Sequence, residues 1–198
     1  MNIAPVTLRG RTVRLEPLAV DHVADLARVG LESQLWEWIP HNVSSVEEMR
    51  RYVVTALDEQ SRGVSLPFAI VDESTDQAVG STRYANIVAQ HNRLEIGWSW
   101  IAVSHQRTRA NTEAKFLMLC HAFDTLGVNR VELKTDVLNE QSRRAIERLG
   151  AVQEGVFRRH VITASGRVRD TVYYAITDVE WPSVKARLET MLDRAIAR

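Results

Sequence analysis

The sequence predicts an α/β fold in which helices cover a mixed sheet, within one domain spanning residues 1–198. Apolar residues alternate in seven short segments and recur at helical spacing in five others. The order is strand, helix, helix, three strands, helix, strand, helix, two strands and helix, which is typical of a sheet flanked by helices. The chain has 45% hydrophobic and 25% charged residues, enough apolar residues for one substantial core.

The first half of the chain supplies four strands and two helices. Alternation over residues 11–18 predicts the first strand. Asp21 is the predicted N-cap of a helix reaching residue 31, and Ser45 begins a second helix to about residue 60, with Glu48 in capping-box position. Short connections then predict an antiparallel meander of three strands over residues 66–71, 78–87 and 94–103.

The second half alternates helices with shorter strands. A helix over residues 111–126 ends at Gly127, and a helix over residues 139–149 ends at Gly150. A strand over residues 131–135 separates them. A hairpin around Ser165 and Gly166 and a last helix follow, with strands over 151–162 and 168–176 and the helix over 180–197.

The polar turn over residues 104–110 is the strongest functional signal. It follows an apolar strand, carries Arg107 and Arg109, and leads into a helix that Asn111 and Thr112 are predicted to begin. The first N–H groups of a helix lack partners, and the helix dipole adds partial positive charge there. Two neighbouring guanidinium groups strengthen such a site for phosphate. The sequence therefore predicts a phosphate-bearing cofactor.

Composition narrows the class of protein further. A formal net charge of zero, from 25 basic and 25 acidic residues, argues against nonspecific nucleic-acid binding. No apolar run approaches the ~20 residues that cross a membrane, and no secretory signal is evident. The single cysteine, Cys120, fits a reducing cytoplasm, and the histidines lack metal-ligand spacing. We therefore expect a cytoplasmic protein without membrane, nucleic-acid or metal partners.

Two elements in order resemble the acyl-CoA-binding core of the GNAT N-acetyltransferase superfamily, and most closely its ribosomal-protein N-terminal acetyltransferase branch. Residues 106–111 resemble the family's Gln/Arg-x-x-Gly-x-Gly/Ala turn, with Arg109 and Asn111 at the usually small positions. Residues 139–142 resemble the start of the family's later helix, which ends in glycine, here Gly150. The resemblance implies a mostly antiparallel sheet of about seven strands, with strands four and five splayed around a pantetheine slot.

The resemblance implies acetyl-CoA as co-substrate, with backbone amides holding its pyrophosphate. The implied cofactor-binding residues lie on the strand end, the turn and the later helix: Ile101, Ala102, Val103, Gln106, Arg107, Thr108, Arg109, Ala110, Asn111, Thr112, Asn139 and Ser142.

Glu95 is the candidate base. Alternation places it with Gly97 and Ser99, on the face opposite Leu94, Ile96, Trp98 and Trp100. In many GNAT relatives a glutamate near this point prepares the substrate amine, often through water. The alternatives are a solvated strand residue or a cross-strand partner of Arg83.

Ser142 is the candidate acid. Many GNAT relatives carry a tyrosine that acts as general acid four residues before the closing glycine, and this chain has Ile146 at that position. Ser142 is the implied substitute near the thioester sulfur, and an ordinary first-turn helix residue is the alternative. A backbone N–H freed by a strand bulge near Ala102 or Val103 is the predicted oxyanion donor.

The resemblance implies an acetyl-CoA-dependent N-acetyltransferase in which a primary amine attacks the thioester directly. The acceptor is a protein N-terminus or a small molecule, and Trp36 and Tyr84 are expected to shape its pocket, with core packing as their alternative. The other hypothesis is a non-catalytic acyl-CoA-binding or regulatory domain, suggested by Arg109, Asn111 and the missing tyrosine. A nucleotide-binding protein is less favoured because no Gly-x-x-x-x-Gly-Lys-Ser/Thr pattern occurs. Whether the chain forms a homodimer stays open.

Overall fold

A computed structural model describes residues 1, 3–39 and 41–194. Within them eight strands form one sheet, in the order β1-β2-β3-β4-β5-β6-β8-β7. Only the β5–β6 pair is parallel, and every other pair is antiparallel. The strands are β1 Leu8–Arg9, β2 Val13–Pro17, β3 Leu66–Asp72, β4 Gln77–Val88, β5 Arg93–Ile101, β6 Arg130–Asp136, β7 Val152–Ile162 and β8 Val168–Thr177.

Five α-helices flank this sheet: α1 Val23–Gly30, α2 Val46–Ser61, α3 Arg109–Cys120, α4 Glu140–Leu149 and α5 Trp181–Arg194. Helix α3 continues through a π-helical turn, His121–Thr125. The helix predicted over residues 180–197 is confirmed as far as Arg194, and its last residues lie outside the described part of the chain.

The predicted fold class is confirmed as a mixed, mostly antiparallel sheet between helices. The short strand β1 was not predicted, because two residues are too few for alternation to show, and it raises the strand count to eight. The predicted strands four and five are therefore β5 and β6.

The sheet separates two apolar clusters. One face packs against α3, α4 and α5 through residues such as Leu94, Met118 and Ile146. The other face packs against α1 and α2 through residues such as Met49 and Trp100. Strand residues alternate between the clusters, as the period-two geometry of a strand requires.

The sheet opens in its middle. Strands β5 and β6 pair at only three positions, the last being Glu95 with Glu132. Beyond this point β5 runs on to Ile101 and β6 to Asp136 without pairing each other. The resulting slot is the predicted splay.

A β-bulge in β5 changes which side chains face the slot. The register with β4 shifts between Ser81 and Arg83, and Trp98 takes a φ of +54°. Ser99 consequently faces α3, while Trp98 faces the α2 side beside Arg83. The predicted alternation, with Trp98 opposite Glu95 and Ser99 beside it, is therefore wrong, because one extra residue reverses the pattern.

Two predicted helix starts also differ. Thr108, not Asn111 or Thr112, precedes α3, and its Oγ1 accepts from Ala110 N at 3.2 Å. Asp21 lies in a short 3₁₀ turn instead of capping α1. The Ser45 cap of α2 is confirmed, since Ser45 Oγ accepts from Glu48 N at 3.2 Å.

Candidate active site

The slot between β5 and β6 encloses a cleft of about 460 Å³. Helices α3 and α4 border it on one face of the sheet, and α2 and the segment before it border it on the other. Six titratable side chains line it: Glu59, Glu95, Lys115, Lys134, His160 and Arg169. A cleft that passes through the sheet can bring together two reactants that enter from opposite faces.

The turn before α3 lies beyond the end of β5. Ile101 and Ala102 are buried, Val103 is exposed, and a 3₁₀ turn over Val103–His105 follows. His105 Nε2 contacts Asp72 Oδ2 at 2.8 Å, which fixes the turn to β3. Although burial opposes it, hydrogen bonds from Ser74 and His105 lower the pKa of Asp72 to about 2.

The backbone of this turn suits an anion. Arg107 has a φ of +58°, in the left-handed region that favours glycine. Within the described residues, the N–H groups of Arg107 and Thr108 have no hydrogen-bond acceptor. They lie just before the N-terminus of α3, where the helix dipole also attracts negative charge.

Arg109 is held by an acid in this conformation. Its Nη2 lies 3.8 Å from Glu113 Oε1, and its Nε is buried without a partner. Glu113 in turn accepts from the backbone N–H groups of Arg11, Thr12 and Val13 at 3.0, 2.7 and 2.9 Å. The guanidinium of Arg109 therefore lies near the turn, but Glu113 holds it in place.

Helix α4 brings Asn139, Ser142 and Ile146 to the same cleft. Asn139 is the N-cap, and its Oδ1 accepts from Ser142 N at 2.9 Å. Arg148 Nη2 donates to Thr112 Oγ1 at 3.2 Å, which joins α4 to the first turn of α3. Of the predicted cofactor-binding residues, Asn139 and Ser142 therefore line the cleft, whereas residues 101–112 do not and are joined to α4 through Arg148.

Glu95 lies in the cleft as half of an ion pair. Its Oε2 is 2.7 Å from Lys134 Nζ and also accepts from Asn86 Nδ2. Although burial acts to lower it, the pKa of Lys134 is raised by the charge of Glu95. A Cβ on Gly97 would lie 2.8 Å from Glu95 Oε1, so the glycine leaves room for this carboxylate. The alternative partner Arg83 is wrong, because Arg83 Nη1 donates to Glu59 Oε2 at 2.7 Å.

Lys115 reaches the cleft from α3 and is only 7% exposed. Its Nζ donates to Thr82 Oγ1 at 3.1 Å and to Ser99 Oγ. No carboxylate lies within ion-pair distance of it among the described residues. Burial alone lowers the pKa of Lys115 to about 7.

Two other predicted site residues lie in the core instead. Trp36 is 3% exposed, and its Nε1 donates to Gly30 O at 2.7 Å. Tyr84 is fully buried, and its hydroxyl donates to Met118 O at 2.6 Å. Neither borders the cleft, because the packing of α1 and α3 covers them; Trp38 and Trp98 border it.

The predicted oxyanion donor also has another partner. Ala102 N donates to Val79 O at 2.7 Å, so it is not free. The bulge of β5 is at Trp98 and not near Ala102 or Val103. Since β5 has no pairing with β6 beyond Glu95, the stretch from Gly97 to Ser99 borders the cleft at the open edge of β5.

Sequence reasoning missed Lys115 and Trp98. A signal existed for Lys115, which is one of three lysines in the chain and precedes Met118 and Leu119 by three and four residues. That spacing places it on the buried face of α3.

The described residues contain neither a candidate metal site nor a candidate membrane-spanning helix. No group of three or more His, Cys, Asp or Glu side chains there could hold a metal ion. No helix in those ranges is long and apolar enough to span a bilayer.

The family model that matches this chain defines it as an acyltransferase, and the chain belongs to the GNAT acetyltransferase family. The acetyltransferase (GNAT) domain matches residues 12–152, more than half of the chain. The predicted family and the predicted acyltransferase class are thereby confirmed.

Particular relatives agree. The chain is 28% identical over 178 residues to the "Putative ribosomal N-acetyltransferase YdaF" of Bacillus subtilis (strain 168), covering 88% of this chain and 94% of that one. A GCN5-related N-acetyltransferase from Brucella melitensis superposes with a TM-score of 0.89 at 31% identity, over 96% of this chain and 86% of that one. Mycobacterium smegmatis RimJ, solved in complex with CoA-disulfide, superposes with a TM-score of 0.79 at 26% identity, over 90% and 88%.

Proposed function

We propose that this protein is an acetyl-CoA-dependent N-acetyltransferase whose acceptor is a primary amine of a protein N-terminus or a small molecule. The observation that carries the proposal is a turn suited to an anion at the start of α3, a helix that also brings Lys115 into the cleft through the sheet. The turn offers backbone N–H groups to a pyrophosphate, and the cleft of about 460 Å³ offers space for the acyl-bearing arm. The RimJ structure was solved with CoA-disulfide, which agrees with this use of the fold.

The two faces of the sheet suggest how the reactants meet. The cofactor enters from the face of α3 and α4, where the turn, Asn139 and Ser142 lie. The acceptor enters from the face of α2, where Glu59 and Trp98 border the cleft. Holding both reactants in one cleft supplies much of the rate acceleration.

The amine attacks the thioester carbonyl directly, without a covalent enzyme intermediate. It must first lose a proton, which costs less for an α-amine (pKa about 8) than for a lysine (about 10.4). Glu95 orients the amine or accepts this proton through water, but accepting it would break the ion pair with Lys134. Backbone N–H groups at the β5 bulge stabilise the oxyanion.

Ligand-induced thermal stabilisation tests the cofactor. Acetyl-CoA at a hundred times its Kd adds ~2.7 kcal/mol, or roughly 5–10 °C in Tm for a chain of this size. ATP or NAD at the same concentration is expected to add far less. No Tm shift at millimolar acetyl-CoA would overturn the cofactor assignment.

A matched pair of variants locates the binding site. Thr108→Asp and Thr108→Asn both keep a good N-cap, but only the first places a negative charge at the anion site. We expect Thr108→Asp to abolish the acetyl-CoA shift and Thr108→Asn to retain most of it. Equal shifts would move the pyrophosphate away from this turn.

A panel of amines then tests turnover by thiol release. It includes short peptides with free N-termini, polyamines and amino acids. Product from any of them supports the enzyme, whereas binding of acetyl-CoA without turnover on the whole panel would favour the non-catalytic acyl-CoA-binding domain.

A further inference from the structure

Lys115 is a buried amine at the side of the cleft that α3 provides. It extends from the helix whose N-terminus lies at the anion-binding turn, and it meets Ser99 just past the bulge of β5. Ser142 and Ile146 face the same cleft from α4. The amine of Lys115 therefore lies where α3 and α4 border the gap between β5 and β6.

The hydrogen bonds of Lys115 leave one donor unused. An ammonium group has three N–H bonds, and two of them go to Thr82 and Ser99. These two hydroxyls also bond each other, at 2.7 Å, so the cluster is closed except towards the cleft. The third N–H has no acceptor in the described residues.

The charges around the cleft do not neutralise Lys115. Glu95 on β5 is committed to Lys134 on β6, and Glu59 on α2 is committed to Arg83 on β4. Helix α4 presents only Asn139, Ser142 and Ile146 here, and His160 and Arg169 on β7 and β8 are the other titratable groups of the cleft. A buried cation without a counter-ion is costly, so a negative charge that arises beside it is strongly stabilised.

We propose that Lys115 is the catalytic group that protonates the departing CoA thiolate, a role that rests on the proposed acetyl-CoA-dependent function. Besides the oxyanion of the tetrahedral adduct, the reaction generates a negative charge on the sulfur of the leaving group. The tyrosine that serves as the acid in many relatives is replaced here by Ile146.

The step balances without a further reactant. The neutral amine attacks the carbonyl carbon, a C–N bond forms, and the C–S bond of the tetrahedral adduct breaks with its electron pair passing to sulfur. Lys115 gives one proton to that sulfur and becomes a neutral amine. The proton lost by the attacking nitrogen returns to Lys115 directly or through water, so that an amide and free CoA are the only products.

Acidity favours Lys115 over Ser142. Burial lowers the pKa of the lysine to about 7, below the ~8.5 of an ordinary thiol, so proton transfer to the thiolate is downhill. A serine hydroxyl is far less acidic than either group. Near neutral pH a substantial fraction of Lys115 also carries the proton that it must donate.

Ultraviolet titration of bound CoA tests whether Lys115 interacts with the CoA sulfur, and it requires no acceptor amine. The thiolate of CoA has its own absorbance band, and its appearance with pH gives the pKa of the bound thiol. We expect the wild-type protein to lower this pKa, but by less than the ~1.5 units that separate an ordinary thiol from Lys115, since a larger change would leave the proton on the lysine. We expect Lys115→Met not to lower it. Lys134→Met combined with Glu95→Gln is the control, because it removes a lysine of the cleft together with its carboxylate partner and is expected to leave the lowered thiol pKa in place.

The outcomes separate this proposal from the proposed function. If CoA binds with the same thiol pKa in wild type and Lys115→Met, the role of Lys115 is overturned while CoA binding stands. If wild-type protein binds neither CoA nor its desulfo analogue, the proposed function fails and this inference with it. If Lys115→Met does not fold, Lys115→Gln is titrated in its place, and a thiol pKa still lowered in that variant contradicts the proposal.

Discussion

Glu95 and Lys115 line the same cleft, yet their surroundings are opposite. Glu95 has a lysine at 2.7 Å and an asparagine amide on the same oxygen. Lys115 has only two hydroxyl groups. Both side chains are nearly fully buried, so the difference is not one of exposure.

The comparison teaches which buried charge can act in a reaction. A buried charge with a bonded partner is stabilised in one protonation state, and exchanging a proton costs it the partner's interaction. A buried charge without a counter-ion lies close to its protonation midpoint and responds to the next charge that arrives. By this reasoning Lys115 exchanges protons during the reaction, and Glu95 holds the shape and charge of the acceptor side.

The largest expected effect is on turnover in Lys115→Met. Removing a general acid should lower kcat by roughly 10²–10³-fold, while acetyl-CoA affinity changes little. Steady-state kinetics with an amine that passes the panel measures this. Ser142→Ala is the control, with an expected loss below about threefold because its hydroxyl is not the acid. A larger loss in Ser142→Ala than in Lys115→Met would reverse the assignment.

Glu95→Gln is expected to have a smaller effect of a different kind. If the carboxylate mainly attracts and orients the amine, the variant loses roughly tenfold in kcat/KM, most of it through a higher KM. If Glu95 is instead the base, kcat falls by roughly 10²-fold near neutral pH, and the loss shrinks as pH rises towards the pKa of the amine. A pH series of kcat and KM distinguishes the two roles. A profile typical of a base would show that Glu95, like Lys115, exchanges protons during the reaction.

The stability of Lys115→Met sharpens the comparison in the absence of any substrate. The folded pKa is about 7 and the ordinary value 10.5, so between these values the unfolded chain binds more protons than the folded one. The buried lysine therefore destabilises the fold most below about pH 7 and progressively less as pH rises towards 10.5. Lys115→Met should raise Tm by roughly 5 °C at pH 6–7 and by almost nothing near pH 10. A Tm gain that does not depend on pH would mean that Lys115 is not titrating in this way.

Arg109 is intermediate between Glu95 and Lys115 in how closely an opposite charge approaches it. Its substitution is expected to have the smallest effect. Its nearest acid, Glu113, is 3.8 Å away, and its Nε has no partner. If the guanidinium turns towards a phosphate when CoA binds, Arg109→Gly should weaken acetyl-CoA binding by roughly three- to tenfold at low salt, and less at high salt. Isothermal titration at two salt concentrations checks this, and tighter binding by the glycine variant would show that arginine only occupies a position suited to glycine.

Much of the fold could be predicted because strand and helix periods are local properties. The meander, the Ser45 cap and the two cofactor elements each depend on neighbours in sequence. The β5 bulge could not be predicted, since alternation assumes an unbroken ladder and Trp98 breaks it. The positions of Trp36, Tyr84 and Lys115 depend on which helix covers which part of the sheet, and that is set by packing between distant segments.

The single cysteine, Cys120, at the end of α3 has a practical consequence for measuring the reaction. It is half-buried, and burial raises the pKa of its thiol to about 11. Disulfide reagents react with thiolates, so this protein contributes little background colour when such reagents count the CoA released on turnover. The wild-type chain can therefore be screened continuously against many amines, without a cysteine-free variant.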